Sequence, residues 1–207
     1  MIPKIIHQTY KNENLPQMYK ECQETIKYLH PDFEYRFYTD DDMLNFIKIS
    51  FPDYYNKFIE LPRMIMKIDM LRYFLMYKFG GIYADLDYKF VKKFDLLDYK
   101  IVLPISRVKN DNKMDCLGNC IFASEPNHPF WKMVIDELLG FKLKNVITDN
   151  DVIHITGPVF LTNIYKKYTN KDDIYTCPIM FFHPGNKVNN ESYGHHLCSA
   201  VWRNNQL

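Results

Sequence analysis

The chain opens on an apolar run, "PKIIHQTY", whose branched residues give way to His7, Gln8 and Thr9. That pattern predicts a buried strand with a polar end. The next segment, "LPQMYKECQETIKYLHP", spaces Met18, Cys22, Ile26 and Leu29 as one helical stripe and stops before Pro31. "FEYRFYT" alternates like a strand. "TDDDMLNFI" starts a helix with Thr39 or Asp40 at the N-cap and Asp42 placed for a capping box. Strand, helix, strand, helix points to an α/β unit with a parallel sheet.

The longest periodic helix is "LPRMIMKIDMLRYFLMYKF", closed by Gly80 and Gly81. The run "IYADLDYKF" follows as a strand carrying Asp85 and Asp87. "YKIVLPIS" and "NCIFAS" read as further strands, and "HPFWKMVIDELLGF" as a helix. "DNDVIHITGPVFLTNIYKKY" predicts a loop, a Gly-Pro turn and a helix beginning near Pro158. The tail from Phe181 has little periodicity and many polar groups. Neither an internal repeat nor a low-complexity linker breaks the chain, which predicts a single domain over residues 1–207.

Composition narrows the class. A formal net charge of +1 without a long basic run argues against a nucleic-acid partner. The five cysteines, in no CxxC pattern, argue for a reducing compartment rather than a disulfide scaffold. No apolar run reaches the roughly 18 residues of a membrane span, and the opening run is too short for a secretory h-region. The expected location is the cytoplasm. Abundant Lys, Asn, Ile and Tyr fit an AT-rich genome, and for a viral protein that means the host cytoplasm.

Two features carry chemistry. On the long helix Asp69 and Arg72 share a face with Ile65 and Met76, a costly place for charge unless it is fully hydrogen-bonded. They read either as a structural salt bridge or as fixed donors and acceptors for a polar ligand. In "GGIYADLDY" Asp85 and Asp87 stand two apart, so on a strand both point to one side. Like charges that close repel unless a cation sits between them, and oxygen ligands suit Mg²⁺ or Mn²⁺. His7 and Gln8 fit a structural role or a site role equally. Cys116, Cys120 and His128 lack a fourth ligand at zinc spacing.

The string "KIDMLRYFLMYKFGGIYADLD" resembles the DxD region of the family 32 glycosyltransferases, which include yeast Golgi mannosyltransferases. It is also similar to the glucosylating domains of large clostridial toxins. "IPKIIHQTY", "GNCIFAS" with "HPFW", "TGP" and "SYGHHLCSAVW" resemble the family's other segments in the same order. The resemblance implies a GT-A fold, a nucleoside diphosphate sugar donor and a divalent metal. It implies that Asp69 and Arg72 contact donor sugar hydroxyls and that Tyr83 lies near the nucleoside. Asp85 would touch ribose, sugar or metal, and Asp87 would ligate the metal directly. The Thr9 backbone and the Tyr10 ring would meet the base. His196 would supply the third metal ligand, with His195 its rival, while Ser199 and Trp202 would contact the diphosphate. Ala200-Val201 departs from the commoner pair of small residues before that tryptophan.

The resulting expectation is metal-dependent transfer of a hexose to an acceptor hydroxyl on a glycan, lipid or protein, with retention. A UDP-sugar is favoured and GDP-mannose is the alternative. Asn119 and Asp151 are further candidates for orienting sugar or acceptor, whereas His154 and His183 read as structural. Rival classes are an inactive nucleotide-sugar or glycan-binding module, a nucleotidyltransferase and a metal-dependent hydrolase. The second needs a Gly-rich basic loop after the first strand, and "HQTYKNENLP" lacks one.

Overall fold

The computed structural model describes residues 1–110, 113–140 and 148–199. The first half runs β1 (Ile5–Thr9), α1 (Gln17–Leu29), β2 (Glu34–Tyr38), α2 (Asp40–Ser50), α3 (Pro52–Ile59), α4 (Met64–Phe79), β3 (Gly81–Ala84) and β4 (Tyr88–Phe90). The second half adds β5 (Ile101–Val108), β6 (Met114–Leu117), β7 (Ile121–Ser124), α5 (Pro129–Gly140), α6 (Asp149–Ile155) and α7 (Pro158–Lys167). It closes with β8 (Ile174–Cys177), α8 (Ile179–Phe182) and β9 (Gly194–His196). Among the described residues no helix is long and apolar enough to cross a membrane.

The main sheet is ordered β2-β1-β3-β7-β5-β6, with β8 also paired to β5. The expectation of a parallel sheet holds for β2-β1-β3 and for β5-β8, but β7 runs antiparallel between β3 and β5. The sheet is therefore mixed. Its parallel half brings Thr9, Tyr38 and Ala84 to one carboxyl edge, where open α/β sheets hold their ligands.

Strand alternation divides the core. Tyr83 and Phe122 face the α4 side, whereas Ile82, Ala84, Ile121 and Ala123 face the opposite layer with Ile6, Ile26 and Tyr88. Helix α4 is buried nearly all round, with Met66, Met70, Leu71, Tyr73, Phe74, Leu75 and Met76 all in the core. Such a helix lies inside its domain rather than on the surface. Burying each of these side chains stabilises the fold by about 1.5–3 kcal/mol before entropy is counted. The same burial carries Asp69 and Arg72 into the interior.

Gly80 and Gly81 turn the chain from α4 into β3 with φ of +64° and +86°. A Cβ on Gly81 would stand 2.5 Å from the carbonyl oxygen of Ile5 on β1, so glycine is required by contact as well as by conformation. The strand expected through "IYADLDYKF" is broken. Asp85 to Asp87 form a tight turn between β3 and β4, tied by Asp85 N–H to the Cys120 carbonyl (2.7 Å) and Tyr88 N–H to the Asp85 carbonyl (3.0 Å). The two carboxylates therefore converge through a turn, not through strand alternation.

Thr39 and Asp42 form the expected capping box on α2. The loop expected at "DNDVIHI" is instead α6, started by a second box in which Thr148 and Asp151 exchange the same bonds. The unassigned "PDYYNKFI" is α3, with Pro52 at its first position.

Candidate active site

Arg72 is the centre of the site. Its Nη2 lies 3.3 Å from Asp69 Oδ1 and its Nη1 lies 3.3 Å from Asp85 Oδ1. Nη1 also donates to the carbonyl oxygen of Asn119, and the guanidinium lies over the Tyr83 ring at 4.7 Å. Burial works against the cation, but the two carboxylates hold it charged.

Asp69 accepts from Asn119 Nδ2 at 3.0 Å and from the Thr156 hydroxyl at 2.9 Å. Burial lifts its pKa to about 6 against the pull of Arg72 and those donors. Asp85 accepts from the Tyr83 hydroxyl at 2.8 Å, and burial raises its pKa as well. Gln8 braces the turn by donating to the carbonyl oxygens of Ala84 and Asp85, each at 3.3 Å. His7 is structural too: buried, it lies 2.9 Å from the Gly80 carbonyl and 3.1 Å from the Tyr38 hydroxyl.

The ribbon of β4 and β9 pairs Tyr88 with His196, which sets that imidazole beside the turn. His196 Nε2 is 2.9 Å from Asp87 Oδ1. The adjacent His195 falls opposite Lys89 and leaves its buried Nδ1 without a partner among the described residues. The backbone N–H and hydroxyl of Ser199 both donate to Asp87 Oδ2, at 2.9 and 2.7 Å. Burial alone would raise the Asp87 pKa, yet His196 and Ser199 hold it at about 2. Burial likewise disfavours the charged His196 ring, but Cys120 and Asp87 push its pKa up to about 12.

Asp85, Asp87 and His196 each offer a ligand atom within 4.8 Å of the others, and among the described residues this is the one such acid, thiol and imidazole group. Two carboxylates and one imidazole suit a hard divalent ion such as Mn²⁺ or Mg²⁺. A cation there would need the neutral imidazole of His196, so its binding would compete with a proton on that ring. Cys116, Cys120 and His128 are not gathered into a metal site. Cys116 meets Thr162, and His128 lies 3.8 Å from Asp173.

A cavity of about 520 Å³ opens over these groups. One wall is polar and aromatic, from Thr9, Tyr10, Lys11, Tyr19 and Asp40 at the ends of β1 and β2 and on α1. Apolar side chains complete much of the lining, from Met64, Ile65 and Ile68 of α4 with Ile153 and Pro158.

The remaining candidate residues divide between the cavity lining and its surroundings. Tyr83 lines the cavity floor but is wholly buried, and its hydroxyl serves Asp85. Ser199 is engaged by Asp87 and, through its hydroxyl, by Tyr19 at 3.1 Å. Asp151 is committed to the α6 cap and does not line the cavity, whereas Asn119 reaches Asp69. His154 hydrogen-bonds the Asn150 carbonyl on the surface. Trp202 lies outside the described residues. Tyr19, Asp40, Cys120, His183 and Thr156 join the site without having been singled out for it. His183 sits 3.8 Å from Cys120, whose pKa falls to about 7 because the two histidines outweigh burial.

Residues 16–103 match the glycosyltransferase sugar-binding region containing the DXD motif. The mannosyl phosphorylinositol ceramide synthase of Saccharomyces cerevisiae is 36% identical over 171 residues, covering 81% of this chain and 43% of the yeast protein. Inositol phosphoceramide mannosyltransferase 2 of Schizosaccharomyces pombe is 30% identical over 209 residues, covering 99% of this chain and 59% of that protein. The chain thus spans roughly half the length of these relatives. The solved PaToxG glycosyltransferase superposes with a TM-score of 0.61 at 18% identity, over 83% of this chain and 72% of that one, and shares its GT-A fold. The chain belongs to the glycosyltransferases whose sugar-binding region contains the DXD motif.

Proposed function

We propose that the chain transfers a hexose from a nucleoside diphosphate sugar to an acceptor hydroxyl, in a reaction that depends on a divalent metal and retains anomeric configuration. The observation that carries this is the convergence of Asp85, Asp87 and His196 within 4.8 Å beside the Asp69–Arg72 pair. Asp87, ionised to about pH 2, Asp85 and His196 would hold Mn²⁺ or Mg²⁺. When bound, the ion supplies Lewis-acid stabilisation of the departing diphosphate.

The protein's own groups position the sugar. Asp69 is pinned by Thr156 and Asn119, so its remaining lone pairs accept from sugar hydroxyls in a fixed direction. Arg72 is held by two carboxylates and a backbone carbonyl, which keeps its charge beside the developing oxocarbenium–diphosphate pair without reorganisation. The resemblance to a retaining family supports retention. The names of the yeast relatives support mannose as the sugar and a lipid headgroup hydroxyl as the acceptor.

The test is thermal shift and calorimetric titration against UDP- and GDP-sugars, with and without Mn²⁺, on wild type and Asp87→Asn. The expected result is stabilisation by one nucleotide class that requires the metal and disappears in the variant. A ligand at 100 times its Kd adds about 2.7 kcal/mol of stability, well within reach of the measurement. Absence of metal-dependent binding to every nucleotide sugar would overturn the proposal.

A further inference from the structure

Among the described residues that line the cavity, Asp40 is the one carboxylate outside the metal-ligand cluster and Asp69. It stands at the first position of α2, directly after β2, with its backbone N–H 3.5 Å from the Lys11 carbonyl. Its carboxylate makes neither a hydrogen bond nor an ion pair among the described residues. Helix capping does not require it, because Thr39 and Asp42 already satisfy the first turn reciprocally and Asp41 lies exposed beside them. Half-burial raises its pKa, with Asp41 adding to the rise, and the charges of Lys11 and Lys67 offset that rise only in part.

The surroundings specify what an unpaired carboxylate there could meet. Tyr10 presents an aromatic ring in the same wall, packed edge-on against Tyr19 at 5.3 Å. Lys11 carries its ammonium 5.9 Å from that ring. Across the sheet, β2 and β3 flank β1, so their ends at Tyr38 and Ala84 stand two strand spacings apart, about 10 Å, and Asp40 and the aspartate turn follow directly on those ends. That span matches the reach of a nucleoside diphosphate from its base to its phosphates.

We infer that Asp40 reads the base of the donor and selects guanine. The inference rests on the nucleotide-sugar reading above. Guanine offers two adjacent donors, N1–H and the N2 amino group, and a carboxylate accepts from both. The neighbouring O6 accepts from Lys11. Uracil offers one donor, N3–H, flanked by two carbonyl oxygens, so one carboxylate oxygen would face a carbonyl. Adenine and cytosine place an acceptor where the carboxylate needs a donor. This choice reverses the uridine preference expected from the toxin resemblance.

Replacing the carboxylate by an amide supplies the test, because the amide offers one acceptor and one donor group where the carboxylate offers two acceptors. That pattern complements xanthine and uracil and opposes guanine. Titration of GDP, XDP and UDP with MnCl₂ into wild type, Asp40→Asn and the exposed control Asp41→Asn reads the difference. Wild type is expected to prefer GDP. In Asp40→Asn, GDP should weaken by about 10- to 100-fold while XDP and UDP tighten, the scale of one charge-assisted hydrogen bond exchanged for another. A gain for XDP cannot come from misfolding. Asp41→Asn should leave all three affinities unchanged. Wild type binding UDP more tightly than GDP, or Asp40→Asn altering the three nucleotides alike, would overturn the base-reading role and leave the donor site standing. Failure of all three nucleotides to bind wild type would overturn both.

Discussion

Thr156 donates its hydroxyl to Asp69 across 2.9 Å, joining the segment before α7 to the middle of α4 although 87 residues separate them. Both side chains are buried, and Asn119 completes the set on the other carboxylate oxygen. Thr156→Val keeps the shape and removes the donor, which leaves a buried carboxylate one bond short. The expected loss is about 1–3 kcal/mol of unfolding free energy, together with a further rise in the Asp69 pKa. Denaturant unfolding of the valine and serine variants decides it. Serine should restore most of the loss, and a valine variant as stable as wild type would show that the hydroxyl contributes nothing.

Arg72 stands between two acids, so its removal and theirs should not add. Arg72→Met leaves Asp69 and Asp85 facing each other in a poorly solvated site, at an expected cost of about 3–5 kcal/mol. In Asp69→Asn/Arg72→Met one of those charges is already gone, so the methionine should cost less there than in wild type. A double-mutant cycle measures that coupling. Strict additivity would mean that the two acids do not feel each other through the guanidinium.

Much of the fold was legible because the signals were local. The Thr39–Asp42 box, the two glycines before β3 and the long apolar run of α4 each follow from neighbours in the chain. Asp85 and Asp87 were recognisable from spacing, but their convergence depends on a turn that strand alternation does not describe. The box at Thr148 and Asp151 carries the same S/T-x-x-D signal as α2 and was open to reading, so α6 was missed for want of length rather than of pattern. Thr156, His183 and Tyr19 were another matter. Their partners lie 63 to 180 residues away, and a lone threonine, histidine or tyrosine carries no periodic signal. His196 was reachable only through resemblance, since nothing in "SYGHHLCS" itself says which ring turns toward Asp87.

His7 supplies a pH dependence of predictable sign. Buried between the Gly80 carbonyl and the Tyr38 hydroxyl, the ring is neutral with its pKa lowered from 6.5 to about 4, chiefly by burial. Its Nε2–H donates to the carbonyl and its Nδ1 accepts from the phenol. Between those pH values the unfolded chain binds the proton more readily than the folded one. Stability therefore rises with pH through the window and falls as pH drops from 6.5 towards 4. The full effect is about 3 kcal/mol, at about 1.4 kcal/mol per pH unit. Asp69, raised to about 6, acts in the opposite sense over part of that range. Subtracting the His7→Gln stability curve from the wild-type curve isolates the histidine. A difference that does not change between pH 4 and 6.5 would contradict a buried neutral ring.

Gly81 links the backbone to the site. Its φ of +86° is one that L side chains rarely adopt, and an added Cβ would press on the Ile5 carbonyl at 2.5 Å. Ile5 precedes Ile6 and His7, whose registry with Ile82 and Tyr83 joins β1 to β3. Gly81→Ala must therefore push β3 away from β1 or rotate its first peptide, at an expected cost of about 2 kcal/mol or more. The displacement should travel along β3 to Asp85, because Gln8 on β1 holds that turn through the Ala84 and Asp85 carbonyls. Gly81→Ala is thus expected to weaken Mn²⁺ binding as well as stability, even though the residue touches no ligand. Gly185→Ala offers the comparison, since Gly185 also has a positive φ, of +58°, but nothing lies within 4 Å of its added Cβ. It should lose stability and keep its metal affinity. Equal effects on metal affinity in the two variants would mean that the β1–β3 contact does not set the position of the aspartate turn.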